Sequence, residues 1–144
     1  MKQVALLVAL VATAALLFVG GTASAYTKGC ERGTVGSDRM FGSFRADALC
    51  GERGDDRIVG RGGNDKLVGG SDDDRIIGDN GADTIKGGPG RDVVKSGDGD
   101  DTVRAGLFNR ENDGARDFVY CGPGVDTVYV AGSDVVDASC EIRR

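Results

Sequence analysis

A chain of 144 residues with 25 glycines, two prolines and no tryptophan is long enough for one small domain and too glycine-rich for an ordinary globular core. Its glycines lack the three-residue period of collagen, and its aliphatics recur too regularly for a disordered linker. A formal net charge of −5 without histidine argues against nucleic-acid binding and for binding of cations.

The first 25 residues stand apart. Met1-Lys2-Gln3 gives a positive start, Val4 to Gly21 is an apolar run, and Ala23-Ser24-Ala25 supplies small residues where a signal peptidase cuts. This predicts a signal peptide over 1–25, cleavage after Ala25, and a secreted, extracellular protein with no membrane span after cleavage. The rival reading is a retained membrane anchor, since the run approaches spanning length. The alanine content, Gly20-Gly21 and the small-residue triplet favour removal, and no cysteine ends the run as in a lipoprotein. Cleavage takes one of the 18 basic residues and none of the 23 acids. All four cysteines remain, which fits an oxidising compartment and two disulfides.

After a short N-terminal cap segment (26–32) comes a repeat. Cut from Gly51, the chain reads GERGDDRIV, GRGGNDKLV, GGSDDDRII, GDNGADTIK, GGPGRDVVK and SGDGDDTVR, nine residues per block without a slip. The sixth place is always aspartate (Asp56, Asp65, Asp74, Asp83, Asp92, Asp101) and the eighth always aliphatic (Ile58, Leu67, Ile76, Ile85, Val94, Val103). Extended backwards, the frame takes in GTVGSDRMF and GSFRADALC, keeping Asp38, Met40, Asp47 and Leu49 in phase and making eight blocks over 33–104.

Each place has a physical task. Glycine at places one, two and four permits positive φ and close backbone approach. Asp72 stands at one fourth place, and aspartate tolerates the left-handed region. Places seven to nine predict a very short strand with its middle side chain pointing inward and polar neighbours such as Arg57, Lys66, Thr84 and Lys86 pointing out. One inward aliphatic per block closes no core alone, so blocks must stack, two per coil. Stacking sets the sixth-place carboxylates about 4.8 Å apart in columns, which repel unless a cation intervenes. Carboxylates and turn carbonyls, without histidine or free thiolate, form a hard oxygen donor set suited to Ca²⁺.

These blocks resemble the RTX, or hemolysin-type, calcium-binding nonapeptide family, whose pattern is G-G-x-G-x-D-x-U-x with U aliphatic. The resemblance covers 33–104 and extends to 112–129. It implies an all-β fold, a parallel β-roll (β-solenoid) with two repeats per coil and calcium between the turns of adjacent coils. Carried over block by block, the side-chain ligands are Asp56, Asp65, Asp74, Asp83, Asp92 and Asp101, with Asp38 added because its block keeps glycine at place four. The paired sites are Asp56/Asp74, Asp74/Asp92, Asp65/Asp83 and Asp83/Asp101, and Asp38/Asp56 forms a fifth. Asp47 is set aside, since Arg45 stands where its block needs glycine. The competing reading is that these aspartates only shape turns.

The pattern breaks after Arg104. An insertion loop spans 105–111, two divergent repeats (112–129) restore Asp117, Val119, Asp126 and Val128, and 130–144 reads as a C-terminal cap. Cys30 and Cys50 are twenty residues apart, Cys121 and Cys140 nineteen, each close to one eighteen-residue coil. Cys50 and Cys121 would lie about 19 Å apart along the stack, beyond disulfide reach, so Cys30–Cys50 and Cys121–Cys140 are predicted as staples of the two ends.

Three function classes compete. The leading one is a secreted protein that binds calcium and depends on it to fold. The second is an extracellular adhesive or assembly module using an outer β-face, where Phe41, Val59 and Ile77 form an apolar column before Lys95. Its protein or polysaccharide partner is unspecified. Catalysis is disfavoured, because the chain has no histidine, its cysteines pair, and the repeat accounts for its aspartates; no catalytic residue is assigned. The fifth places lack the threonine or asparagine array of an ice-binding face.

Overall fold

The computed structural model describes residues 29–106 and 114–143, all of them strand, turn or extended chain without a helix. The signal-peptide reading and most of the 105–111 insertion fall outside the described residues. Thirteen strands follow one another: β1 (Glu31–Arg32), β2 (Arg39–Phe41), β3 (Ala48–Arg53), β4 (Arg57–Gly62), β5 (Lys66–Ser71), β6 (Arg75–Asn80), β7 (Thr84–Lys86), β8 (Val93–Asp98), β9 (Thr102–Arg104), β10 (Phe118–Tyr120), β11 (Thr127–Tyr129), β12 (Val135–Val136) and β13 (Ile142–Arg143). Odd-numbered strands form one seven-stranded sheet in the order β1-β3-β5-β7-β9-β11-β13, and even-numbered strands form a six-stranded sheet in the order β12-β10-β8-β6-β4-β2. Every pairing is parallel. Consecutive strands therefore belong to opposite sheets, and the chain winds as a β-solenoid of about six turns.

From β1 to β9, pairing joins each residue to the one eighteen further on. Leu49, Leu67, Ile85, Val103 and Val128 are successive Cα partners in one sheet, and Met40, Ile58, Ile76, Val94, Val119 and Val136 in the other. These eighth-place side chains face each other between the sheets, and those from Ile58 to Val128 are fully buried. The core is thus two facing aliphatic ladders one side chain thick. Burying such a side chain contributes about 1.5–3 kcal/mol, and no block has a second one to add at this place. The period therefore dictates the stacking.

Several strands are longer than places seven to nine. β3, β4, β5, β6 and β8 each run six residues, into places one to three of the next block. The ladder continues through second-place residues at positive φ, as in Arg61↔Asp79↔Gly97. That place is not reserved for glycine, since Glu52, Arg61 and Asp79 all hold it at φ of 75–87°.

The break after Arg104 leaves the stack intact. Val93 pairs with Phe118 and Thr102 with Thr127, each 25 residues apart, so the register resumes after seven added residues. Ala105, which the sequence placed in the insertion, instead continues the stack, fully buried and accepting from Gly88 N at 3.1 Å. β12 and β13 each add a closing strand to one sheet. Both predicted disulfides are present, with Cα–Cα distances of 5.7 Å for Cys30–Cys50 and 5.1 Å for Cys121–Cys140.

Candidate metal centre

Each sixth-place aspartate follows a tight turn and precedes an inward aliphatic, which aims its carboxylate into the turn. Successive aspartates in a column are joined through the backbone. The Asp38 N–H donates to Asp56 Oδ1, that of Asp56 to Asp74, that of Asp74 to Asp92, and that of Asp92 to Asp117, at 2.8–3.0 Å. Along the other edge Asp47 donates to Asp65, Asp65 to Asp83, Asp83 to Asp101 and Asp101 to Asp126, again at 2.8–3.0 Å. The pairs expected from the sequence are therefore stacked neighbours, and Asp47 stands in its column despite Arg45.

One carboxylate oxygen is occupied by this ladder. The other is not: among the described residues Oδ2 of Asp56, Asp65, Asp74 and Asp83 is buried and accepts no hydrogen bond. Leaving a buried polar atom unmatched costs about 1–3 kcal/mol, more if charged. Such atoms recurring at the same place of successive blocks in both columns, Asp101 and Asp126 included, mark a common missing partner.

The first-place glycines explain how the space arises. They do not adopt positive φ; they are glycines because a Cβ has no room. A Cβ on Gly51 would lie 2.1 Å from Asp56 Oδ2 and 2.5 Å from the Gly69 carbonyl oxygen of the next coil. The same convergence of a carboxylate oxygen and a carbonyl oxygen recurs at Gly60 (Asp65 and Gly78), Gly69 (Asp74 and Gly87) and Gly78 (Asp83 and Ser96). Second- and fourth-place carbonyls likewise crowd the next coil: a Cβ on Gly88 would meet Gly70 O at 1.9 Å, and one on Gly90 would meet Asp72 O at 2.2 Å. The turns are thus rich in oxygen. No group of three or more histidine, cysteine or acidic side chains that could hold a metal occurs among the described residues. Carbonyl oxygens would have to complete any coordination sphere, as hard cations such as calcium allow.

The ends of the columns are built differently. Asp38 Oδ2 accepts from Thr34 N at 2.5 Å and Thr34 Oγ1 at 2.9 Å, and Asp47 Oδ2 accepts from Ser43 N at 2.6 Å and Ser43 Oγ at 2.9 Å. A hydroxyl residue at place two satisfies both carboxylates of the first coil. At the other end Asp117 N donates to Asp134 Oδ1 and Asp126 N to Glu141 Oε2, both at 3.2 Å. Asp117 and Asp126 were visible in phase without being assigned as ligands. Asp134 and Glu141 lie where the frame is lost, and no spacing could have identified them. Ser96 replaces the first-place glycine of the Asp101 block and is buried.

A second ladder runs along the fifth places in the opposite sense. Asp55 Oδ1 accepts from Asp73 N, Asp73 Oδ1 from Arg91 N, Asn64 Oδ1 from Ala82 N and Asp100 Oδ1 from Val125 N, at 2.8–3.1 Å. The recurrence of Asp or Asn at place five was the available signal.

Electrostatics follow from burial. Desolvation, reinforced by Asp56, Asp55 and Asp72, pushes the Asp74 carboxyl up to about 7 against the lowering effect of the Asp56 N–H. Asp83 is likewise pushed up to about 7, and Asp65 to about 6. Burial also raises Asp56, Asp101 and Asp126. Without a cation, the columns hold charge at high cost.

The family model of the RTX calcium-binding nonapeptide repeat, four copies long, matches residues 32–67, 51–85 and 77–110, which together exceed half of the chain. No curated protein and no solved structure matches the chain. With its calcium-binding repeats wound into a β-solenoid, the chain belongs to the RTX calcium-binding nonapeptide repeat family.

Proposed function

We propose that this protein is a secreted calcium-binding β-roll in which Ca²⁺ is held between the turns of adjacent coils and completes the fold. The observation that carries this reading is the set of buried Oδ2 atoms on Asp56, Asp65, Asp74 and Asp83, each beside a carbonyl oxygen of the next coil and each lacking a hydrogen bond. The donor set fits the ion, being hard oxygen throughout with carboxylate charge to neutralise. When bound, calcium supplies positive charge between rungs that otherwise repel. The protein's own contribution is to position the oxygens: the Asp N–H to Oδ1 bonds orient each carboxylate, the first-place glycines leave the space, and the eighth-place ladder holds the coils together. Asp92 and Asp101 belong to the same ligand set, and Asp38 takes part through Asp56.

Coupling of folding to the ion follows from the thin core. About one buried aliphatic per nine residues must offset the entropy of ordering a glycine-rich chain as well as the carboxylate repulsion. Calorimetric titration after chelation tests the binding, and circular dichroism with and without chelator tests the coupling. Heat on titration together with strand content gained on calcium addition is expected; equal strand content in both states removes the coupling, and no binding heat removes the function.

Export is inferred from residues 1–25 and the two disulfides. Sequencing the exported chain should find Tyr26 at its N-terminus. The role is structural and ion-binding rather than catalytic, in keeping with the family.

A further inference from the structure

The outer face of the six-stranded sheet carries another ladder, made of guanidinium groups. Arg39, Arg57 and Arg75 hold the seventh places of β2, β4 and β6 and are successive Cα partners. All three are exposed, and neither ion pair found among the described residues, Arg32–Glu52 and Arg91–Asp73, involves them. Like charges opposite one another on paired strands destabilise a sheet. Here the arrangement occurs twice in succession with none of the three arginines in an ion pair, and such departures from local consistency mark functional sites.

The rest of the face has the same character. Beside the arginines runs the ninth-place column Phe41, Val59, Ile77, Lys95 and Tyr120, also in register. Val59, next to Phe41, is only 8% exposed, so the column is not an open apolar patch. Phe41 and Tyr120 are each 41% exposed and carry a cation near the ring, Arg61 Cζ at 5.6 Å and Lys95 Nζ at 5.9 Å from the respective centroids. A shallow depression of about 590 Å³ adjoins the last arginine, lined by Arg75, Ile77, Asp79, Val93, Lys95 and Tyr120. Alternation along β4, β6 and β8 turns Arg57, Arg61, Arg75 and Lys95 outward on this face, with Asp79 as their acidic neighbour. A chain of net charge −5 has thus gathered cations on one flat surface.

We infer that this face binds a linear acidic polysaccharide. Cations stand on each of the neighbouring strands β2, β4, β6 and β8, which lie about 4.8 Å apart, close to the advance of one sugar unit in an extended chain. Guanidinium groups pair bidentately with carboxylate or sulfate, and the exposed rings at either end offer platforms for sugar faces. Single-stranded nucleic acid needs aromatic platforms in succession, whereas here two rings stand four strands apart. A lipid surface would favour protruding apolar side chains, and Val59 is recessed. The register of the ladder comes from strand pairing, so this inference does not require the calcium ligands to be those named above.

The test uses the full exported chain in calcium-containing buffer, with dextran sulfate as the probe and unsulfated dextran as its control. Binding of dextran sulfate that weakens with added salt, and none of dextran, is expected. Combined Arg39→Gln, Arg57→Gln and Arg75→Gln substitution should weaken binding roughly tenfold or more with circular dichroism and calcium titration unchanged, while Arg45→Gln with Arg53→Gln should leave it intact. If the triple variant does not fold, Arg57→Gln alone should still weaken binding two- to threefold, roughly its share of that loss. Equal effects of the two sets of substitutions, no binding of dextran sulfate, or tighter binding to oligothymidylate or phosphatidylglycerol vesicles would overturn the assignment.

Discussion

The backbone N–H of Asp65 donates to Asp83 Oδ1 at 2.8 Å, and the remaining oxygen of Asp83 is buried without a hydrogen bond. One carboxylate thus has two roles. Oδ1 reports the stacking of coils, and Oδ2 reports what the stacking lacks.

These roles separate in a single variant. Asp83→Asn keeps a carbonyl oxygen for the Asp65 N–H and removes the charge. Its calcium affinity should fall by roughly tenfold or more, about 1.4 kcal/mol, while the metal-free fold becomes no less stable. Titration calorimetry and thermal melts in chelator measure the two effects, and unchanged affinity would exclude Asp83 as a ligand.

Acidity should act on the metal-free protein in an unusual direction. Asp65, Asp74 and Asp83 titrate at about 6, about 7 and about 7 in the folded chain, above the ordinary carboxylate range they return to on unfolding. A raised folded pKa means that the folded state holds protons more tightly. The stability linked to these groups is then complete below the unfolded pKa and is lost as pH rises through about 6 to 7. In chelator the melting temperature should fall from pH 5 to pH 8. With calcium present, protons compete for the same oxygens, so the calcium-induced rise in melting temperature should grow across that interval. A metal-free melting temperature that climbs with pH would contradict the burial of these carboxylates.

Glycine in the repeats and glycine in the C-terminal cap are required to different degrees. Gly88 has φ of 130°, and a Cβ there would lie 1.9 Å from Gly70 O. At Gly132 a Cβ meets nothing within 4 Å. Gly88→Ala should cost roughly 2 kcal/mol or more, from left-handed strain plus steric clash, and Gly132→Ala should change stability little. Chemical denaturation in saturating calcium compares the two.

The staples should matter through the unfolded chain. Replacing Cys30 and Cys50 together by serine opens a loop of about twenty residues and should cost about 3 kcal/mol. Loss of the corresponding melting temperature with calcium binding at Asp74 and Asp83 retained is expected. A variant as stable as the parent would show that β1 is held by pairing alone.

The repeat made much of the structure legible. A nine-residue period with aspartate at place six and an aliphatic at place eight allows one economical burial, two blocks per coil, so register, columns, facing sheets and disulfide partners all follow from arithmetic on positions such as Asp56, Asp74 and Asp92. Local spacing suffices there because every contact repeats at eighteen residues. Where that separation fails, so does inference from the chain: Asp117 reaches Asp92 across 25 residues, and Asp134 and Glu141 close the columns from segments that keep no frame. The difference between Asp38, whose second oxygen is satisfied by Thr34, and Asp74, whose second oxygen is not, also depends on how a hydroxyl at place two turns back onto its own block. Periodicity prescribes which residues stack, because each block can bury its aliphatic in one way. Which oxygens remain unsatisfied, and that Arg39, Arg57 and Arg75 meet on one face of a chain with net negative charge, depends on packing between coils, because strand pairing and turn geometry set which groups come within hydrogen-bonding reach.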